Sequence, residues 1–210
     1  MQTPSLEKEK ALLKQGFSVV AGLDEAGRGA WAGPVVAAAV ILPLADANSM
    51  PSLAGVRDSK QMTPRQRDAL FEVIGCTALA IGVGISSHQY IDRQRIVKAT
   101  RRAMQQAVVR LAINPDYLLI DALPLPSLDI PQSAFPKADA LSLSVAAASI
   151  IAKVTRDRLM ITLDACYPGY QFGRHKGYGT KQHRAALKIL GPCKIHRYSF
   201  APVEAEVRNR

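Results

Sequence analysis

Residues 18–42 read SVVAGLDEAGRGAWAGPVVAAAVIL, two apolar runs on either side of a turn. The first run, 18–23, is short and β-branched, and the acids Asp24 and Glu25 follow it directly. Glycine and proline fill the turn, and the second apolar run begins at Val35. This pattern predicts a β-hairpin whose first strand ends in two adjacent carboxylates.

The rest of the chain mixes strand and helix signals. Thr63 and Gln66 have the spacing of a capping box around a first-turn proline, and Gly82 and Gly84 mark either a bulge or a close backbone approach. The predicted elements are strands at 77–85 and 117–121, helices at 63–74, 97–112, 143–166 and 180–190, and one short extended piece in the proline-rich loop 124–136. Their order predicts a single α/β domain with a mixed sheet.

The charge of the chain suggests a polyanionic partner. There are 27 Lys and Arg residues against 17 Asp and Glu residues, which gives a formal net charge of +10. Nucleic acid is the first candidate, although a scattered surface charge explains the same composition equally well. The 210 residues, 48% of them hydrophobic, are enough for one compact domain with its own core.

The cysteines and the apolar runs indicate the cellular compartment of the protein. Cys76, Cys166 and Cys193 lie far apart and form no C-x-x-C pair, which argues against a disulfide framework or a zinc knuckle. The first residues show no secretory pattern, and no apolar run is long enough to span a membrane. We expect a soluble cytoplasmic protein, a monomer, with no membrane partner.

Four acids are the candidate catalytic and metal-binding residues: Asp24, Glu25, Asp121 and Asp139. Asp121 closes the apolar strand YLLI, where a carboxylate is costly unless it is paired, protonated or bound to a cation. Carboxylates and phosphate oxygens suit Mg²⁺, which keeps several waters. Taken singly, Asp139 is as well explained by helix capping and Asp121 by a turn. Asp24 and Glu25 favour a ligand role, because two like charges at one strand end repel each other.

Gly27-Arg28-Gly29 follows these acids directly. Two glycines let the backbone approach another molecule while the guanidinium binds a phosphate, although a simple tight turn has the same sequence. Five further cations are either phosphate contacts or solvated charges, with phosphate contact favoured only for the first: Lys60, Lys153, Arg156, Lys176 and Lys181. Three histidines lack zinc-site spacing and are interpreted as structural or substrate-rim residues: His175, His183 and His196.

Five colinear motifs resemble the ribonuclease HII family. They are DEAGRG at 24–29 with AGPVVAAAV at 32–40, DSK at 58–60, ASIIAKVTRD at 148–157, HKGYGT at 175–180 and HRYSF at 196–200. Together they span about residues 18–203. Any one of them could arise by chance, but the series makes another family improbable.

The resemblance implies a ribonuclease H-like fold with a mixed five-stranded sheet flanked by helices, an N-terminal extension at about 1–17 and a helical portion at about 140–210. It implies an endonuclease that uses two Mg²⁺ or Mn²⁺ ions, held by the four acids, to cut RNA in RNA–DNA hybrids and 5′ of single ribonucleotides in DNA. It assigns the ribose 2′-hydroxyl to the backbone of Gly27, Arg28 and Gly29, and the next deoxyribose to Tyr178, a tyrosine that would otherwise be interpreted as core packing.

Two positions depart from the family pattern, Arg95 where many members carry Asn and Ala122 where a glycine usually follows the acid. Two other functions are compatible with parts of the sequence. A type 1 ribonuclease H or a junction resolvase would also use clustered acids, and a non-catalytic nucleic-acid-binding module would need the positive charge alone. The sequence identifies no clamp or polymerase that recruits the protein.

Overall fold

A computed structural model describes residues 3–44 and 53–208. The strands are β1 (Val20–Ala26), β2 (Val35–Ile41), β3 (Ala80–Ser86), β4 (Tyr117–Asp121) and β5 (Gln132–Phe135). The helices are α1 (Glu7–Leu13), α2 (Pro64–Thr77), α3 (His88–Val109), α4 (Leu143–Cys166), α5 (Phe172–His175), α6 (Lys181–Leu190) and α7 (Ala201–Arg208). Single 3-10 turns lie at Ser59–Gln61 and Ala138–Ala140.

The five strands form one mixed sheet in the order β3-β2-β1-β4-β5. β1 pairs with β2, and β2 with β3, in antiparallel fashion, whereas β4 is parallel to both β1 and β5. This confirms the predicted hairpin and the mixed five-stranded sheet. The short extended piece predicted in the proline-rich loop is the edge strand β5.

Helices cover both faces of the sheet. Alternate residues of β2 point to opposite sides: Ala37 and Ala39 pack in the cluster that contains α3, and Ala38 and Val40 in the cluster that contains α2 and α4. The register between β2 and β3 is continuous, so Gly82 is not in a bulge. A Cβ at Gly82 would lie 2.0 Å from a carbonyl oxygen of α3, which confirms the close-approach alternative.

The helix predictions hold best where a cap is visible in the sequence. α2 begins with the predicted capping box of Thr63 and Gln66, and α4 has the predicted limits. The prediction for α3 was wrong at its start, because Ser87 caps the helix and α3 begins at His88, nine residues before the predicted 97. The backbone leaves the helical conformation at Arg95 (φ 66°) and then resumes it. Within the described ranges, no helix is both long and apolar enough to cross a membrane.

The predicted N-terminal extension contributes to the fold; its residues 1 and 2 lie outside the described ranges. It contains α1, whose Glu9 is fully buried. Oε1 of Glu9 accepts hydrogen bonds from Ser142 Oγ (2.6 Å) and from the backbone N–H and Oγ of Ser144 (3.0 and 2.7 Å). α1 therefore supplies an anion to the N-terminus of α4, where free N–H groups favour negative charge.

Candidate active site

The strand register brings two of the predicted acids together. β1 and β4 are parallel, with Leu23 opposite Ile120, so the next residues along the strands are Asp24 and Asp121. Leu23 and Ile120 face the α3 side, and side chains alternate along a strand, so Asp24 belongs to the α4 side. Asp24 is only 3% exposed. Two carboxylates thus meet at the carboxyl ends of neighbouring parallel strands.

A cleft of about 360 Å³ opens at this end of the sheet. Eight of the nine predicted site residues line it: Asp24, Glu25, Gly27, Arg28, Gly29, Lys60, Asp121 and Tyr178. Asp139, the ninth, is connected through Lys60, whose Nζ lies 3.9 Å from Asp139 Oδ2. We call the four acids and the loop 27–29 the acidic cleft.

A hydrogen bond from the backbone holds Asp121 in position. Oδ1 of Asp121 accepts the backbone N–H of Ala138 at 2.9 Å, which ties β4 to the 3-10 turn that carries Asp139. Asp139 does not cap α4, because Ser142 takes that position. Ala122, directly after Asp121, has a left-handed backbone (φ 60°), a conformation that a glycine adopts without steric cost.

The carboxylates repel one another. Burial raises the pKa of Asp24 well above its ordinary value, and the charges of Glu25 and Asp121 raise it further. Burial also raises the pKa of Glu25, although Arg28, whose Nη1 donates to Glu25 Oε1 at 3.1 Å, opposes the shift. The pKa of Asp139 is raised by burial and by neighbouring acids. Glu25 Oε2 is buried without a hydrogen-bond partner, so Arg28 and Lys60 compensate the negative charge here only in part.

This donor set fits a hydrated divalent cation better than a closed cage. Within residues 3–44 and 53–208, no three His, Cys, Asp or Glu side chains are arranged to hold a metal ion by themselves. Mg²⁺ and Mn²⁺ accept carboxylate oxygens together with water and phosphate oxygens. The unpaired oxygen of Glu25 and the raised carboxyl pKa values are the features that a cation would relieve.

A buried arginine, Arg197, holds the loop 27–29 from the interior of the protein. Arg197 is fully buried, and its guanidinium donates to the carbonyl oxygens of Gly27 (2.7 Å), Arg28 (2.8 Å), Gly33 (3.0 Å) and Pro34 (3.1 Å). The peptide bonds here are trans, so each carbonyl points away from the N–H of the following residue. Carbonyls drawn inward at 27 and 28 therefore direct the next two amides away from Arg197.

Arg156 connects this loop to Tyr178. It is fully buried and donates to the carbonyl oxygens of Pro34 (2.9 Å), Lys176 (2.9 Å) and Ala32 (3.2 Å), while its guanidinium lies 5.2 Å from the centre of the Tyr178 ring. The interpretation of Arg156 as a phosphate contact or a solvated charge was wrong. All of its donors are directed to backbone carbonyls inside the fold.

Three buried histidines support the loop that carries Tyr178. Nδ1 of His196 accepts the N–H of Cys193 (2.9 Å), so its proton lies on Nε2, which donates to Nε2 of His183 (3.1 Å). His183 then carries its proton on Nδ1 and donates to the carbonyl of Tyr178 (3.0 Å). Burial and the neighbouring imidazole lower the pKa of His196 to about 4. Burial likewise lowers the pKa of His183 to about 4, so both rings are neutral.

His175 completes the support. Its Nε2 donates to the carbonyl of Tyr170 at 2.7 Å, its Nδ1 accepts the N–H of Gly177 at 3.2 Å, and its ring stacks on that of His183 with centroids 4.4 Å apart. Of the two alternatives for the histidines, the structure favours the structural one. We call the group Arg156, Arg197, His175, His183 and His196 the arginine–histidine core.

Two residues that line or support the cleft were not among the predicted site residues: Asp58, and Ser149, which the sequence suggested as a structural hydrogen-bonding group. Asp58 N-caps the 3-10 turn that presents Lys60, and its charge raises the pKa of Asp139. Ser149, on α4, lines the cleft and lies 2.8 Å from Ser59 between the hydroxyl oxygens. Both lie inside motifs that were already recognised, so the motifs themselves were the available signal.

Comparison with known proteins identifies one family. The family model described as ribonuclease HII matches residues 21–203. The ribonuclease HII of Geotalea uraniireducens (strain Rf4) is 53% identical over 209 residues, which cover 99% of this chain and 94% of that protein. The ribonuclease HII of Listeria monocytogenes serotype 4b (strain F2365) is 54% identical over 196 residues, which cover 93% and 73%.

Solved structures show the same architecture. The crystal structure of ribonuclease H2 from Pyrococcus horikoshii OT3 superposes with a TM-score of 0.76 at 27% identity, covering 91% of this chain and 98% of that one. Ribonuclease HII of Archaeoglobus fulgidus, solved as a complex with PCNA, gives 0.73 at 27% identity, covering 86% and 94%. The predicted ribonuclease H-like fold is thereby confirmed. The chain belongs to the ribonuclease HII family and is a ribonuclease H enzyme.

Proposed function

We propose that this enzyme cuts RNA in RNA–DNA hybrids and cuts on the 5′ side of single ribonucleotides in duplex DNA, leaving a 3′-hydroxyl and a 5′-phosphate. The observation that carries the proposal is the position of partly compensated buried carboxylates beside the loop 27–29, whose carbonyls accept hydrogen bonds from the buried Arg197. A site for cations and a site for a sugar hydroxyl thus lie in one cleft.

The four acids Asp24, Glu25, Asp121 and Asp139 are proposed to hold two Mg²⁺ or Mn²⁺ ions. When bound, such ions stabilise the charge that develops on a phosphate and lower the pKa of an attacking water. Without them the acids would repel the phosphate backbone, since their charges already raise one another's pKa values. Retention of these acids beside a basic surface is difficult to explain for a module that only binds nucleic acid.

We expect Lys60 to contact the phosphate at the cut. Burial opposes its charge, but Asp24, Asp58 and Asp139 more than offset this and raise the pKa of Lys60 above its ordinary value. The ammonium therefore stays protonated beside the acids. Its side chain is 76% exposed and lies at the mouth of the cleft, where it can reach a phosphate oxygen.

The sugar at the cut is proposed to be read by two parts of the chain. The amides of Arg28 and Gly29, directed away from Arg197, are suited to a 2′-hydroxyl, which distinguishes RNA from DNA without base preference. The Tyr178 ring is suited to pack against the next deoxyribose. Arg156 packs against both parts: a Cβ on Gly27 would lie 1.9 Å from its Nε, and its guanidinium lies 5.2 Å from the centre of the Tyr178 ring.

The proposal includes a monomer that works in the cytoplasm. Cys76, Cys166 and Cys193 are free thiols, and an excess of ten positive charges suits a nucleic-acid substrate.

The test is cleavage of a labelled DNA duplex that contains one ribonucleotide, with Mg²⁺ or with EDTA. We expect a metal-dependent cut on the 5′ side of the ribonucleotide. Cleavage of long hybrids alone would contradict the role of the loop 27–29 and favour a type 1 activity. Metal-independent binding without any cut would contradict the enzymatic proposal as a whole.

A further inference from the structure

A second, larger groove of about 600 Å³ opens beside the acidic cleft, between α2, α4 and α5. Lys153 and Tyr178 line both the groove and the cleft, so the two are continuous. Five cations line the groove: Arg67, Lys153, Arg158, Arg174 and Lys176. We call this surface the basic groove.

The basic groove carries excess positive charge. Its five cations face two lining carboxylates, Asp68 and Asp157, and Glu72 also lies 3.4 Å from Arg158. Asp157 is shared, since it lies 2.8 Å from Lys153 and 4.0 Å from Arg67. Among the described residues, no ion pair involves the exposed Arg174. The groove is therefore a surface for an anion, in contrast to the cleft that it adjoins.

Partial burial of a cation also suits the groove to an anion. Burial lowers the pKa of Lys176, whereas Asp157 and Asp164 raise it more than Lys153 and Arg67 lower it. A phosphate in the groove would favour the charged form of this amine. The groove also has apolar lining, with Ile161 54% exposed, which suits a sugar between successive phosphates.

Tyr178, which lines both the cleft and the groove, indicates which side of the substrate strand enters the groove. In the proposed function, on which this inference rests, the loop 27–29 reads the ribonucleotide and Tyr178 packs against the next deoxyribose. A strand that continues past Tyr178 enters the groove on the 3′ side of the ribonucleotide. We propose that the basic groove binds the phosphate backbone of the DNA on the 3′ side of the ribonucleotide, so that downstream DNA contributes to affinity.

An acidic protein segment is the other anion that would suit the charges. Continuity with the cleft favours DNA, because the substrate strand must leave the cleft next to residues that also line the groove. Removal of a cation that contacts a phosphate has a measurable effect on binding. Each such substitution lowers the slope of log affinity against log salt by about one.

The experiment measures KM across a series of KCl concentrations for two duplexes that differ only in their 3′ arm. One arm is long, and the other ends just after the deoxynucleotide that follows the ribonucleotide. We compare wild type with Arg158→Ala/Arg174→Ala, which removes two exposed or half-exposed cations of the groove. The control, Arg102→Ala/Arg110→Ala, removes two exposed cations from the opposite face.

On the long-arm duplex, we expect the groove variant to show a salt slope lower by about two than wild type and the control, with kcat unchanged. On the short-arm duplex all three proteins should have the same slope. Equal slopes on the long-arm duplex would overturn the inference and leave the groove to another partner, such as an acidic protein segment. Failure of wild type to cut the long-arm duplex would instead overturn the proposed function.

Discussion

The acidic cleft and the arginine–histidine core meet at the loop 27–29, and both bury ionisable groups. In the core, every donor nitrogen described above meets an acceptor: Arg197 reaches four carbonyls, and the neutral tautomers of His183 and His196 form a single donor chain. In the cleft, like charges face one another and Glu25 Oε2 has no partner. Burial with matched partners thus serves the fold, whereas burial without them leaves binding capacity for a ligand.

The largest expected effect is on catalysis, from neutralising the cleft. Asp24→Asn removes a proposed cation ligand, and ligands of this kind support several kcal/mol of transition-state stabilisation, so kcat should fall by about 1,000-fold or more. Thermal unfolding without metal should occur at the same or a higher temperature than in wild type, because a repelled charge is lost. The exposed Asp129→Asn is the matched control. Near-normal cleavage by Asp24→Asn would contradict the assignment.

In the arginine–histidine core, a substitution is expected to reduce stability. Arg197→Met leaves four carbonyl oxygens without their donor, at about 1 kcal/mol or more each, so the free energy of unfolding should fall by about 3–5 kcal/mol. Urea denaturation measures this, with the exposed Arg110→Met as control. A loss below about 1 kcal/mol would show that the loop holds its shape without Arg197.

The histidines of the core should remain neutral well below ordinary histidine pKa values. Their folded pKa values of about 4 lie below the usual 6.5, so the unfolded chain binds more protons between these values. The stability that they contribute is complete above pH 6.5 and is lost as pH falls towards 4. NMR titration of the imidazole protons should show both rings neutral at pH 6.

The cleft carboxylates, whose pKa values are raised, change stability in the opposite direction on acidification. The histidine effect is therefore read as the difference between wild type and His183→Gln, which should lose stability less steeply between pH 6.5 and 4. Protonation of His183 at pH 6 would contradict the tautomer chain, since two N–H groups would then face each other at 3.1 Å.

The smallest expected effect concerns the backbone of the cleft. Ala122 has φ 60°, where an L residue is strained by about 1–2 kcal/mol and a glycine is not. Glycine loses part of this gain through the entropy of the unfolded chain, so Ala122→Gly should raise the free energy of unfolding by about 0.5–1 kcal/mol. Urea denaturation is again the measurement. Destabilisation would show that the Ala122 side chain makes compensating contacts.

The sequence predicted those parts of the cleft that depend on local pattern. Asp24 and Asp121 end apolar runs, and runs of that kind form neighbouring strands whose ends meet. Glu9 gave no such signal, because a glutamate in a short polar helix is ordinarily exposed and only Ser142 and Ser144, distant in the chain, make its burial favourable. Likewise, Arg156 is usual as a surface residue until the carbonyls that surround it are known.

Both departures from the family pattern also acquire a physical meaning only from the backbone. Arg95 (φ 66°, ψ 163°) and Ala122 (φ 60°) each have a positive φ, which side chains other than glycine rarely adopt. The sequence identified these positions as unusual by comparison with the family motif, but it contained no dihedral angle. The spacing of apolar residues does not report such single-residue strain, which is set by the turn that follows β4 and by the break in α3.

The contact between Glu9 and Ser142 joins residues 133 positions apart. During synthesis, β1, β2 and β3 can pair as soon as residue 86 has emerged, since their connections are local. The first helix, although made earliest, acquires its partner only when the chain has been extended past 142. We therefore expect the N-terminal segment to be among the last to become protected from hydrogen exchange, and the order of assembly to run against the order of translation at this end of the molecule.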